Sequence, residues 1–220
     1  MTRKEGKGLI VRSIVRTVLM VAALTIPAAA HAQNFAISVK TSTLGISLEG
    51  IRSFGPRYNA RIGYSYFTYR HNDRGTDYIL DADITMSAAS AMFDWFPFEG
   101  IFHLSGGAFI NLNDVQAVMT PNGSHDVGGR TYTPKMLGSL TADVVFNRVS
   151  PYLGFGFGNA NGTDSGFTFD VGFLYHGSPG VHLEAEGLLE PSTEQEPIIE
   201  DNISWFQLYP VISIGYVYKF

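Results

Sequence analysis

The chain has 220 residues, no cysteine, and 15 basic against 20 acidic side chains, for a formal charge of −5. The missing cysteines exclude a disulfide framework, and the acidic balance argues against nucleic acid as a partner. The length suits one domain once any targeting segment is set aside.

The first element is such a segment. "MTRKEGKGLIVRSIVR" is basic, "TVLMVAALTIPAAAHA" is apolar and ends on small residues, and Ala30-His31-Ala32 fits a cleavage site before Gln33. The apolar core is too short to cross a bilayer as a helix, so residues 1–32 read as a secretory signal peptide and residues 33–220 as the mature domain. Its removal takes away five basic residues and Glu5 and moves the formal charge from −5 to −9.

From there on the period is two, as in a strand whose side chains alternate between faces. In "NFAISVKTSTLGISLEG" the parity of the apolar residues changes across "KTST", which predicts a tight hairpin or a bulge. "RYNARIGYSYFTY" then sets Tyr58, Ala60, Ile62, Tyr64 and Tyr66 against Asn59, Arg61, Gly63 and Ser65. A segment near 79–96 follows, with a parity change at Ala88–Ala89, and one near 101–119 with another at Asp114–Val115; both changes are expected to be bulges inside long strands. Further alternating segments lie near 139–147, 151–159, 166–176, 181–188 and 208–220. In the last, Ile212, Ile214, Tyr216, Tyr218 and Phe220 share one face.

An aromatic excess on one face, Gly, Asp and Ser on the other, and an export leader favour a barrel in lipid over a soluble sandwich. Closing the sheet leaves no backbone edge unpaired in hydrocarbon. The expected fold is therefore all-β: a single antiparallel up-and-down transmembrane β-barrel, with ten strands preferred and eight as the alternative. Short connections at "SFGPR", "FPFEG", "FNRVSP" and "HGSPG" are expected on the periplasmic side. Longer ones at "RHNDRGTD", "TPNGSHDVGGRTYTPKMLG", "NANGTDS" and "LLEPSTEQEPIIEDNISWFQ" are expected outside the cell.

The segments "VKTSTLGISLEG", "RIGYSYFTY", "DADITMSAASAMFDWFPF", "SPYLGFGFGNA", "FTFDVGFLYHGSP" and "LYPVISIGYVYKF" resemble the outer-membrane β-barrel superfamily, and more narrowly a set of small proteobacterial barrel proteins. The resemblance implies the bacterial outer membrane as location, its lipids as surroundings, and the barrel assembly machinery as a partner in biogenesis. Ile214, Tyr216, Tyr218 and Phe220 resemble the terminal signal that this machinery reads. "LEGIRSF" departs from the commoner order of that set, which leaves the facing of Arg52 open.

Parity places Glu49, Arg61, Asp81, Asp83, Asp94, His103, Asp143, Asp170, His182, Glu184, Glu186 and Lys219 toward the lumen. If water fills it, the acidic excess favours cations; if not, the charges must pair, since an unpaired buried charge is costly. Glycines at 154, 156 and 158 and at 106 and 107 take bulk out of the interior and favour the open case. His103 and Ser105 stand two apart, a spacing found in an outer-membrane lipid A deacylase fold, but their expected place near the periplasmic rim makes a polar lumen rung the better reading. The histidines lack metal-ligand spacing, and neither metal nor cofactor is expected. Two functions stand: a monomeric narrow pore passing small cationic or neutral solutes, or a closed barrel acting structurally or through its surface loops. A lipid-modifying enzyme is the minor third.

Overall fold

A computed structural model describes residues 34–127, 130–158 and 165–219; the proposed leader, residues 1–32, and the terminal Phe220 lie outside the described residues. The strands are β1 (Phe35–Ser42), β2 (Gly45–Ser53), β3 (Tyr58–Arg74), β4 (Tyr78–Trp95), β5 (Phe102–Asn111), β6 (Asp114–Pro121), β7 (His125–Val127), β8 (Arg130–Tyr132), β9 (Leu140–Val145), β10 (Val149–Gly158), β11 (Gly166–Tyr175), β12 (Gly180–Ala185) and β13 (Leu208–Lys219). Among the described residues two short helices, α1 (Pro134–Leu137) and α2 (Glu196–Ile203), accompany them, the second preceded by a 3-10 segment at Gly187–Gln195.

Hydrogen bonding closes a ring in the order β1, β2, β3, β4, β5, β10, β11, β13 and back to β1, every neighbour antiparallel. The barrel has eight strands, not ten. The count differs because "FNRVSP" and "HGSPG" are not turns between strands. Val115↔Val144 in the β6–β9 pair keeps the offset of Ile110↔Val149 in the β5–β10 pair, so β5 with β6, and β9 with β10, are each one interrupted strand. Asn111 N donates to Arg148 O at 2.7 Å and Asn147 N to His176 O at 3.2 Å, carrying the ladder through the break. Between β11 and β12 the offset slips by one, from Tyr152↔Leu174 to Val145↔Gly180, which is the bulge that "HGSPG" encodes. "KTST" is a tight hairpin, closed by Ser42 Oγ donating to Gly45 O at 3.1 Å. Gly45 has φ +97°, and a Cβ there would overlap the backbone of Tyr66, so the turn requires glycine.

The two expected bulges at Ala88–Ala89 and Asp114–Val115 are absent. β3 and β4 keep one register from Tyr58↔Trp95 to Arg74↔Ile79, and β4 passes from β5 to β6 without a slip. What changes at those points is side-chain polarity. In the ring, large apolar residues face outward (Ile62 is 70% exposed, Leu153 73%) and polar residues face inward (Arg61 is 5% exposed, Asp94 1%). Beyond it β3, β4, β6, β9 and β12 continue as an open five-stranded sheet with the reverse arrangement. The rung Arg70, Asp83, Gln116, Asp143, His182 continues the outward parity and is polar; the next rung, Tyr69, Ile84, Val115, Val144, Val181, continues the inward parity and is largely apolar.

Length gives the reason. The 17 residues of β3 reach roughly 58 Å along the strand and about 44 Å in height at a 40° tilt, against an apolar band of about 25 Å in such barrels. About half of β3 therefore extends past the height of such a band, and there the ordinary rule of apolar inside and polar outside returns. The connection from Gly158 to Gly166 leaves from the end where the chain begins and finishes, not from the far end as expected, because merging two pairs of segments changes which turns alternate.

Candidate functional site

The lumen is where the fold gathers its charges. Lys40 from β1 lies 2.9 Å from Glu49 of β2 and 2.8 Å from Asp170 of β11, reaching across the ring. Arg61 of β3 forks between Asp94 of β4 at 2.8 Å, Glu49 at 3.3 Å and Asp170 at 3.5 Å. His103 of β5 sits with Nε2 2.9 Å from Asp170 Oδ1. Ser105 Oγ donates to Asp94 Oδ1 at 2.7 Å. Two permanent cations and one imidazole thus face three carboxylates, all nearly sealed from solvent.

Apolar layers close the lumen on both sides of this network. Toward the chain termini, Ala36, Ile51, Phe96 and Val217 pack together, with Phe96 fully buried. Toward the far end Leu44, Met92, Tyr152, Leu174 and Val211 form a second layer, backed by Met86, Phe109 and Tyr209. Above that, His176 lies against Phe146 and Phe206, with ring centroids at 4.9 and 5.2 Å. The interior glycines serve this filling. A Cβ on Gly156 would stand 2.6 Å from His103 Nε2, one on Gly172 would overlap the Tyr152 ring, and one on Gly107 would meet Met92 Sδ at 2.8 Å. They make room for large side chains opposite, not for an open channel. The space left beside the network is a cavity of about 40 Å³, and a second of about 20 Å³ lies near Leu44 and Leu174. Ser38, Asn59 and Ser150 carry buried polar atoms without a partner among the described residues, which suits single ordered waters beside them.

Of the residues expected in the lumen, Glu49, Arg61, Asp94, His103 and Asp170 meet in this network. Lys219 is half-buried on the lumen parity of β13, at the end where the chain finishes. Asp81, Asp83, Asp143, His182 and Glu184 do not line the lumen: they share the outer face of the far-end sheet, where Arg70 pairs with Asp83 at 3.1 Å and Gln116 donates to Asp143 at 3.0 Å. Glu186 follows β12, its N–H donating to Ser139 O at 2.9 Å. Each was misplaced by assigning the polar face to the lumen along the whole chain, when the rule holds only within the closed ring. Lys40 is the member the sequence reading missed. Extending the outward set Phe35, Ile37 and Val39 would have placed it inward. Arg52 points out, its guanidinium 5.4 Å from the Phe35 ring and 5.2 Å from the Phe54 ring.

The His103 and Ser105 pair does not form a catalytic dyad in this arrangement. Ser105 Oγ donates to Asp94 while His103 Nε2 faces Asp170, so no hydrogen bond joins hydroxyl to imidazole.

A closed antiparallel ring that is apolar outside and charged within is the architecture of a transmembrane β-barrel. The structure matches Acinetobacter baumannii CarO with a TM-score of 0.55 at 18% identity, covering 86% of this chain and 98% of the other. It matches A. baumannii CarO2 with a TM-score of 0.57 at 17% identity, covering 84% and 98%. The fold is that of the small outer-membrane β-barrel proteins of Gram-negative bacteria. No family model and no curated sequence matches the chain.

Proposed function

We propose that the protein is a closed, monomeric barrel of the outer membrane that acts through the sheet and loops it holds above the outer leaflet, and is not a solute channel. In this reading residues 1–32 direct export and are removed, and the alternating residues Ile214, Tyr216, Tyr218 and Phe220 serve the assembly machinery. The termini then lie in the periplasm, and the far-end sheet lies outside the cell.

The observation that carries the proposal is the Lys40–Asp170–Arg61–Asp94 chain of ion pairs, drawn across the lumen between two apolar layers. A hydrated ion passing through would have to separate buried pairs and displace packed side chains at two levels, and the residual cavity of about 40 Å³ holds little more than a water or two. The narrow cation pore is the second reading, favoured by the excess of carboxylates over permanent cations in the lumen. Planar-bilayer recording of residues 33–220, refolded in lipid and shown to be inserted, separates the two. Silence at up to 1 M salt is expected of the closed barrel; discrete cation-selective steps that change in Asp170→Asn would overturn it.

A further inference from the structure

The far-end sheet has two edges, and the fold treats them differently. At β12, α2 supplies carboxylates to the outward amides: Val181 N donates to Glu200 Oε1 at 2.8 Å, and Leu183 N donates to Glu196 Oε1. These are alternate residues, the ones a neighbouring strand would engage. At β3 nothing similar happens. β2 stops pairing at Ile46↔Tyr66, whereas β3 continues along β4 to Arg74↔Ile79. The eight residues from Phe67 to Arg74 therefore have a strand on one side and, among the described residues, none on the other. All eight are exposed, the stretch contains neither proline nor glycine, and its register has no bulge. Three common devices that blunt an edge are missing here among the described residues: proline, a bulge and a covering segment.

We infer that this edge is a docking strand that takes an extended segment of a partner protein by antiparallel strand addition, with acidic residues alternating with apolar ones. The inference rests on the closed-barrel reading, in which binding happens outside the cell. Backbone pairing supplies the attraction and alternate side chains the choice of partner. On one face β3 offers Arg70 and Arg74 on either side of Asn72. Arg70 is shared with Asp83, and Asn72 donates to Asp81, which leaves Arg74 as the cation that meets the incoming strand. On the other face it offers Phe67, Tyr69, His71 and, at its end, Asp73; Tyr69 and His71 are stacked with centroids 6.2 Å apart. Side chains directly opposite in an antiparallel pair share a face, so acidic residues fall beside Arg70 and Arg74, and apolar ones beside the aromatic row. A second copy paired about Asn72 would bring Arg70 against Arg74 on one face and His71 against Asp73 on the other, so two clashes between permanent cations oppose that self-pairing.

The test uses the full mature barrel in lipid nanodiscs and a synthetic ten-residue peptide alternating glutamate with valine. A matching lysine–valine peptide serves as control. Expected results are slower deuterium exchange at alternate amides of residues 67–74 when the glutamate peptide is added, and affinity about fivefold weaker in Arg74→Glu, which instead favours the lysine peptide. No binding at millimolar peptide, protection elsewhere than on β3, or equal binding of both peptides would overturn it. So would concentration-dependent pairing of the barrel with itself through residues 67–74. Because the readout is binding, a barrel that conducts ions would refute the closed reading and leave this result intact.

Discussion

Replacing Arg61 by methionine should be among the most damaging single changes in the barrel. The guanidinium lies 2.8 Å from Asp94, 3.3 Å from Glu49 and 3.5 Å from Asp170, and methionine keeps much of the length while removing the charge. Glu49 and Asp170 retain Lys40 at 2.9 and 2.8 Å. Asp94 is left 1% exposed with the Ser105 hydroxyl and no cation. A buried carboxylate stripped of its partner costs about 3–5 kcal/mol. In Arg61→Met/Asp94→Asn the orphaned charge is gone too, so the double variant should lie within about 2 kcal/mol of wild type, a coupling of well over 1 kcal/mol. Reversible denaturant titration in phospholipid vesicles, followed by the gel mobility of unheated samples, measures all the variants. A cost below about 1 kcal/mol for Arg61→Met, or a double variant as unstable as the two singles added, would show that the ion pairs do not hold the lumen closed.

Gly156→Ala places a methyl 2.6 Å from His103 Nε2 and 2.7 Å from Asp170 Oδ1, and should cost about 1–3 kcal/mol in the same titration. Gly50→Ala, whose Cβ meets only Ile62 Cγ1 at 3.9 Å, is the near-neutral control. Trp205→Phe leaves Trp95 as the sole tryptophan, on the outward face of β4 within the lipid band, so its fluorescence should be strongly quenched by lipids brominated on their acyl chains; the reciprocal Trp95→Phe protein should be quenched far less. Equal quenching of the two would contradict the assignment of α2 and its flanks to the space above the membrane. Glu196→Ala/Glu200→Ala should speed deuterium exchange at Val181 and Leu183 by more than about tenfold, since each amide loses a charged acceptor.

The ring itself was legible in the alternation: the face opposite Phe35, Ile37 and Val39, or opposite Ile212, Ile214 and Tyr216, is the face that points inward. The parity change at "KTST" narrowed that point to a tight hairpin or a bulge, and the Ser42↔Gly45 pairing makes it the hairpin. The strand count was not, because Pro and Gly in "FNRVSP" and "HGSPG" have the same composition whether they reverse the chain or interrupt a strand that runs on. Only the pairing offsets across them, unchanged in one case and slipped by one in the other, tell the two apart. The candidate site divided along the same line. Asp94, His103 and Asp170 lie within the closed ring and followed the parity rule; Asp83, Asp143 and His182 lie beyond it, where an unbroken register and reversed polarity turn the same rule around.

That unbroken register means the waterline of this barrel is painted on its side chains and not cut into its frame. No turn, kink or collar in β3 or β4 fixes how deep the molecule rides, so its draught is set where alanine and phenylalanine give way to aspartate and arginine. Exchanging a single pair of facing residues near Thr68 and Thr85 for leucine should let the vessel settle lower in a thicker bilayer, with its ladder of hydrogen bonds untouched.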